Sequence, residues 1–146
     1  MIDIKDFYKI LKDNEIDFFT GVPDSLMKDF SNFLEENIND SNHLISCNEG
    51  NSVSYSIGYN LATNKIPLVY LQNSGIGNII NPYTSMIHSS VYSIPMLFLI
   101  GWRGEAGLKD EPQHMFQGSI TEEQLNLLEI DFTVMSSNIE ESKSQI

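Results

Sequence analysis

One cysteine, Cys47, is all the 146 residues contain, so neither an intramolecular disulfide nor a cysteine-rich zinc site can form. Basic residues are scarce as well: eight Lys and Arg stand against twenty Asp and Glu, a formal charge of −12. Proteins that bind a phosphate backbone neutralise it with clustered Lys and Arg, so no nucleic-acid partner is expected. Long apolar runs are missing too. None approaches the ~20 residues of a membrane span, and the opening MIDIKDFYKI is too charged for a signal peptide. A cytoplasmic location without membrane contact is the expectation. Internal repeats and low-complexity tracts are also absent. With 41% apolar and 19% charged residues, the chain has the composition and length of one globular domain.

Periodicity then sets the order of elements. Ile4, Phe7, Tyr8 and Leu11 recur at helical spacing behind Asp3, which predicts a capped amphipathic helix over residues 3 to 13. Ile16 to Thr20 reads as a strand ending in the loop Gly21-Val-Pro-Asp-Ser25, followed by a helix through Leu26, Phe30, Phe33 and Leu34 with Asp24 or Ser25 as cap. The same unit recurs as a strand from His43 to Cys47 and a helix from Glu49 to Ala62. It recurs again as a strand from Ile66 to Leu71, a glycine-bearing loop and a helix through Ile80, Tyr83 and Ile87.

Ile94 to Ile100 suits a strand buried on both faces. Residues 101 to 118 show no apolar period and read as one long loop, of the kind that is usually functional. A capping box at Thr121 to Gln124 predicts a helix through Leu125 and Leu128; Asp131 to Met135 predicts a fifth strand; and Asn138 starts a last helical turn. Strands alternating with helices imply an α/β fold, a parallel sheet with helices on both faces.

In such sheets ligands bind beyond the carboxyl ends of the strands. The loops there are GVPDS over residues 21–25, CNEGNS over 47–52, QNSGIGN over 72–78 and GWRGEAGLKDEPQH over 101–114. By residue type alone each has a plain alternative. Glu49 can be an acid favoured in a helix's first turn, Asp24 a cap, Arg103 and Lys109 surface charge, and Gly75 and Gly77 a tight turn. QNSGIGN is not a Walker loop, because the Gly-Lys-Ser/Thr ending is missing.

Together and in this order, these four segments resemble the pyrimidine-binding half of the phosphonopyruvate and sulfopyruvate decarboxylases, within the thiamine-diphosphate superfamily. The resemblance covers nearly the whole chain, with Ala106 standing where proline is expected. It implies that Glu49 hydrogen-bonds the aminopyrimidine and takes part in activating the cofactor, and that Gly21, Pro23, Asn73, Gly75, Gly77 and Asn78 line the cofactor pocket. Asp24, Ser25, Arg103 and Lys109 are implied on the substrate, with Arg suited to paired bonds to a phosphonate or sulfonate. His114 is implied as a proton donor or substrate ligand, while His43 and His88 read as structural and Trp102 as packing on the cofactor or at a domain contact.

The resemblance also implies that thiamine diphosphate and Mg2+ are held mainly by a diphosphate-binding domain, in the same or another chain. No metal ligand is expected among residues 1 to 146, and a homo-oligomer of at least two chains follows. The activity implied is decarboxylation of a small anionic 2-oxoacid, first 3-phosphonopyruvate to phosphonoacetaldehyde and carbon dioxide. The alternatives are a sulfopyruvate decarboxylase alpha subunit, a noncatalytic α/β binding or regulatory domain, and a flavodoxin-like signalling or redox domain.

Overall fold

The structure, a computed structural model, describes residues 2–146. Strands β1 (Phe19–Gly21), β2 (His43–Ile45), β3 (Leu68–Gln72) and β4 (Leu97–Gly101) form one parallel sheet in the order β2-β1-β3-β4. Parallel neighbours need a crossover, and here helices supply it. The crossovers carry α2 (Lys28–Asn37), α3 (Glu49–Thr63) and α4 (Ile76–Pro82), while α1 (Ile4–Asp13) precedes the first strand and α5 (Pro112–Leu127) and α6 (Ile139–Ser142) follow the last.

The apolar pattern of β3 explains the layering. Leu68 and Tyr70 pack with Phe7 and Leu11 of α1 and with Phe30 and Leu34 of α2. Val69 and Leu71 belong to the opposite core, with Val53 and Ile57 of α3, Ile79 of α4 and Leu125 of α5. A strand apolar on both sides must be covered on both sides, which makes the domain three layers deep. Helix starts follow local chemistry: the Asp3 carboxylate accepts from the Lys5 amide and the Asn48 side chain from the Gly50 amide, each at 2.8 Å.

Four strands form, not five. Residues 131 to 135 stay outside the ladder and exposed; a cleft of about 620 Å³ has them on one wall and β4 on the other, which keeps their backbone from the open edge of β4. The expected 101 to 118 loop is also shorter, because α5 begins at Pro112, a residue whose fixed φ and missing N–H suit the first helical position. Thr121 to Gln124 therefore lie inside α5 rather than at its start, and the Thr121 hydroxyl donates to the Gln117 carbonyl at 2.8 Å. The helix through Ile80 and Ile87 changes pitch after Pro82 into a π-turn over Tyr83–Ile87. Asn138 caps α6 as expected, accepting from the Glu140 amide at 3.0 Å. Among the described residues no helix is long and apolar enough to cross a membrane.

Candidate functional site

All four strands run the same way, so the ends of β1, β2, β3 and β4 deliver the four unusual loops to one edge of the sheet. Glu49 is the first residue of α3, just after β2, and is buried at 9% exposure. Its Oε2 accepts from the Asn78 side-chain amide of α4 at 2.7 Å, while Oε1 has no hydrogen-bond partner among the described residues. Gly75 stands against the free oxygen: a methyl group there would lie 2.4 Å from Oε1. The glycine thus leaves room for the Glu49 carboxyl group itself, which lies where a side chain at position 75 would stand. Gly77 is exposed with nothing near its missing side chain.

Asn73, expected in the cofactor pocket, is fully buried, and its side chain serves the neighbouring loop instead. It donates to the Arg103 carbonyl at 2.9 Å and to Thr121 Oγ1 at 2.8 Å. Gly21 closes β1 against β3, its Cα so near the Tyr70 carbonyl that any Cβ would fall 2.1 Å from that oxygen. Its glycine is therefore explained by strand packing. Pro23 is exposed at the rim.

Arg103 follows β4 and is held on three of its five N–H groups. Nε donates to Asp110 Oδ2 at 2.7 Å, Nη2 to Asp110 Oδ1 at 2.5 Å, and Nη1 to Ser25 Oγ at 2.9 Å. Asp110 also accepts from the Gly104 amide at 2.9 Å and the Glu111 amide at 2.7 Å. The Arg103 guanidinium holds the Asp110 carboxyl well below the usual carboxylate range, and the Asp110 bonds push Arg103 upward in turn. The pair is thus charged at any physiological pH, and two N–H groups at the Nη end remain to meet an anion. Lys109 is exposed in the same loop, and His114 is half-buried in the first turn of α5. Trp102 donates its indole N–H to the Gly118 carbonyl at 3.0 Å, fastening the loop to α5.

Asp24 is no helix cap. Its carboxyl turns inward toward Gly101, is 6% exposed, and neither oxygen has a hydrogen-bond partner among the described residues. Burial pushes this carboxyl upward from its ordinary value, against the opposing pull of the Leu26 and Ser25 amides, Arg103 and His114. A carboxyl raised in the folded state favours the fold fully below its ordinary 3.8 and loses that contribution as pH climbs through the raised value. The Asp24→Asn variant has no such loss. Its thermal midpoint should therefore gain on that of wild type as pH rises from 3.8 toward neutrality. A midpoint difference independent of pH would refute the assignment.

Two histidines outside this edge have structural partners: His43 meets Tyr70 Oη at 2.8 Å in the core, and His88 meets Glu129 at 3.1 Å. Sequence reading missed Asp110, the group that pins Arg103, and the amide contact from Asn78 to Glu49. Nothing in the spacing announces either: Asn78 and Glu49 lie on separate helices, and the Arg103–Asp110 pair depends on how the loop that holds both is folded. Among the described residues no cluster of three His, Cys, Asp or Glu side chains is placed to hold a metal ion.

Comparison with known proteins fits this edge. Residues 5–127 match the family model for the thiamine pyrophosphate enzyme, N-terminal TPP binding domain. The sulfopyruvate decarboxylase subunit alpha of Methanococcus maripaludis is 34% identical over 125 residues, 86% of this chain and 72% of that protein. The phosphonopyruvate decarboxylase of Streptomyces viridochromogenes is 41% identical over 70 residues, 48% of this chain. This chain spans only 17% of that relative's length. The crystal structure of benzoylformate decarboxylase from Polynucleobacter necessarius shares the fold, with a TM-score of 0.61 at 17% identity, covering 76% of this chain and 20% of that one. With its parallel α/β sheet and an oriented acid where β2 meets α3, the chain belongs to the thiamine pyrophosphate enzymes and forms their N-terminal, TPP-binding domain.

Proposed function

We propose that the chain is the pyrimidine-binding part of a decarboxylase acting on a 2-oxoacid with a second anionic group at C3. 3-Sulfopyruvate is the leading substrate and 3-phosphonopyruvate the alternative, the reverse of the order taken from sequence. The relative lengths favour this order, because the match extends over most of a sulfopyruvate decarboxylase alpha subunit and over a small part of the phosphonopyruvate enzymes. One observation carries the reading: Glu49 is buried at the carboxyl edge with one oxygen held by Asn78 and the other, packed against Gly75, without a hydrogen-bond partner among the described residues.

That free oxygen suits the ring nitrogen of an aminopyrimidine. Glu49 holds or moves a proton at the ring nitrogen, Asn78 orients the carboxyl, and Gly75 gives the carboxyl its place. When bound, thiamine diphosphate supplies the nucleophilic carbon and the electron sink for loss of carbon dioxide. Arg103 and Ser25 bind the distal sulfonate or phosphonate through the free Nη edge, a charge-assisted arrangement in which two N–H groups can meet oxygens of a tetrahedral anion. Lys109 adds positive charge at the loop surface, and His114 faces the substrate as a candidate proton carrier. The diphosphate and Mg2+ are held by a diphosphate-binding partner, and the working unit contains at least two copies of this chain.

The test is reconstitution with such a partner, thiamine diphosphate and Mg2+, with carbon dioxide release measured from both oxoacids. Release from 3-sulfopyruvate with the higher kcat/KM is the expected result. Cofactor binding without release from either acid would instead mark a noncatalytic binding domain.

A further inference from the structure

The ladder between β3 and β4 ends at Gln72 opposite Gly101. Beyond it the β3 chain coils into a 3-10 turn over Asn73–Gly75, and the β4 chain turns too, the Arg103 amide donating back to the Gly101 carbonyl at 3.2 Å. The backbones part here, and the Asn73 side chain reaches across. Its Nδ2 donates to the Arg103 carbonyl at 2.9 Å, and its Oδ1 accepts from the Arg103 amide at 3.3 Å. One side-chain amide thus satisfies both backbone groups of a single residue, as a further strand residue would.

The same Nδ2 donates to Thr121 in mid α5, and Gln117 of α5 donates to the Asn73 carbonyl at 3.0 Å. Asn73 is fully buried, so water cannot replace any of these partners. Two residues later comes Gly75, the glycine beside the Glu49 carboxyl. The buried amide therefore sits between the two parts of the edge, the acid on one side and the guanidinium on the other.

We propose that Asn73 is a positioning residue for substrate selection: its clamp on the Arg103 backbone aims the guanidinium at Ser25 and at the distal anion of the oxoacid. This rests on the reading of Arg103 as the anion clamp given above. Through Thr121 and Gln117 the clamp also fixes that aim relative to α5, which carries His114. A serine or alanine at this position would leave Arg103 bonded to Asp110 with the turn that holds both free to drift.

The experiment uses the complete assembly of this chain, its diphosphate-binding partner, thiamine diphosphate and Mg2+. Asn73→Asp keeps the side-chain shape and turns an acceptor toward the Arg103 carbonyl. It should raise the ratio of KM for 3-sulfopyruvate to KM for pyruvate, which lacks the distal anion, by about tenfold, the loss of one well-placed interaction. Thr121→Val, which removes the outer acceptor together with the hydroxyl's own bond to the Gln117 carbonyl, should raise the same ratio roughly threefold. Hydrogen–deuterium exchange over residues 101–110 should quicken in Asn73→Asp, and adding Arg103→Ala to it should bring no further rise in the ratio.

An unchanged ratio in Asn73→Asp and Thr121→Val, with Arg103→Ala showing a selective rise, overturns the proposal and leaves Asn73 a support of the fold alone. Unchanged exchange over residues 101–110 overturns it equally. If Arg103→Ala itself does not alter the ratio, the anion-clamp reading fails first and takes this role of Asn73 with it, a result separable from the former by that single variant.

Discussion

Glu49→Gln should lower kcat of the reconstituted decarboxylase by about 10² to 10⁴-fold, the usual contribution of a positioned acid–base group. The side chains are close in size, and Asn78 can still donate to the remaining side-chain oxygen, so fold and cofactor binding should change little. What disappears is the ability to hand a proton to and from the ring. The measurement is kcat beside a thiamine diphosphate titration by circular dichroism. A variant within a few fold of wild type would remove Glu49 from the chemistry, and loss of binding together with kcat would make it a ligand rather than a proton carrier.

The largest expected loss of stability is at Gly118→Ala. Glycine to alanine in a helix interior ordinarily gains up to about 1 kcal/mol. At Gly118 of α5 a Cβ would fall 1.9 Å from the Gly104 carbonyl oxygen and 2.2 Å from its carbon. Both are backbone, and Gly104 sits at φ +70 with its own Cα facing the His114 carbonyl, so neither side can yield. The helix must move off the Arg103 turn, costing about 1–3 kcal/mol or more and breaking the Trp102 bond to Gly118. The control is Gly58→Ala in α3, where nothing lies within 4 Å of the added methyl. That variant should melt higher than wild type while Gly118→Ala melts lower, at a rate of roughly 2–4 °C per kcal/mol. Equal midpoints for the two would mean α5 is not seated on Gly104.

How much of the site was legible depends on the range of each contact. Glu49, Asn78 and Gly75 stood out as unusual residues in loops after strands, and the structure brings these three together. Asn73 stood out for the same reason, yet its task is different, because a buried amide takes whatever backbone lies opposite and that is set by strand register. Asp24 read equally well as a cap or a substrate group; only the packing against Gly101 shows its carboxyl inside. The start of α5 was obscured by its own surface. Phe116 and Leu127 are 74% and 84% exposed, so apolar residues lie off the buried face and the helical period is blurred. Pro112 after two acids was the available signal.

By itself the sequence determined the alternation of strands and helices and the family to which the four loops point. These depend on side-chain periodicity and on residue types within short stretches, which the chain carries locally. The two-faced burial expected of Ile94 to Ile100 falls instead to β3, since β4 is an edge strand and only partly buried. The order of strands, the missing fifth ladder and the pairings of Asn73 with Arg103, Arg103 with Asp110 and Glu49 with Asn78 were decided only in three dimensions. Arg103 and Asp110 meet through the fold of one loop; the others join groups on different elements, and such contacts exist only once the crossovers have set which loops share an edge.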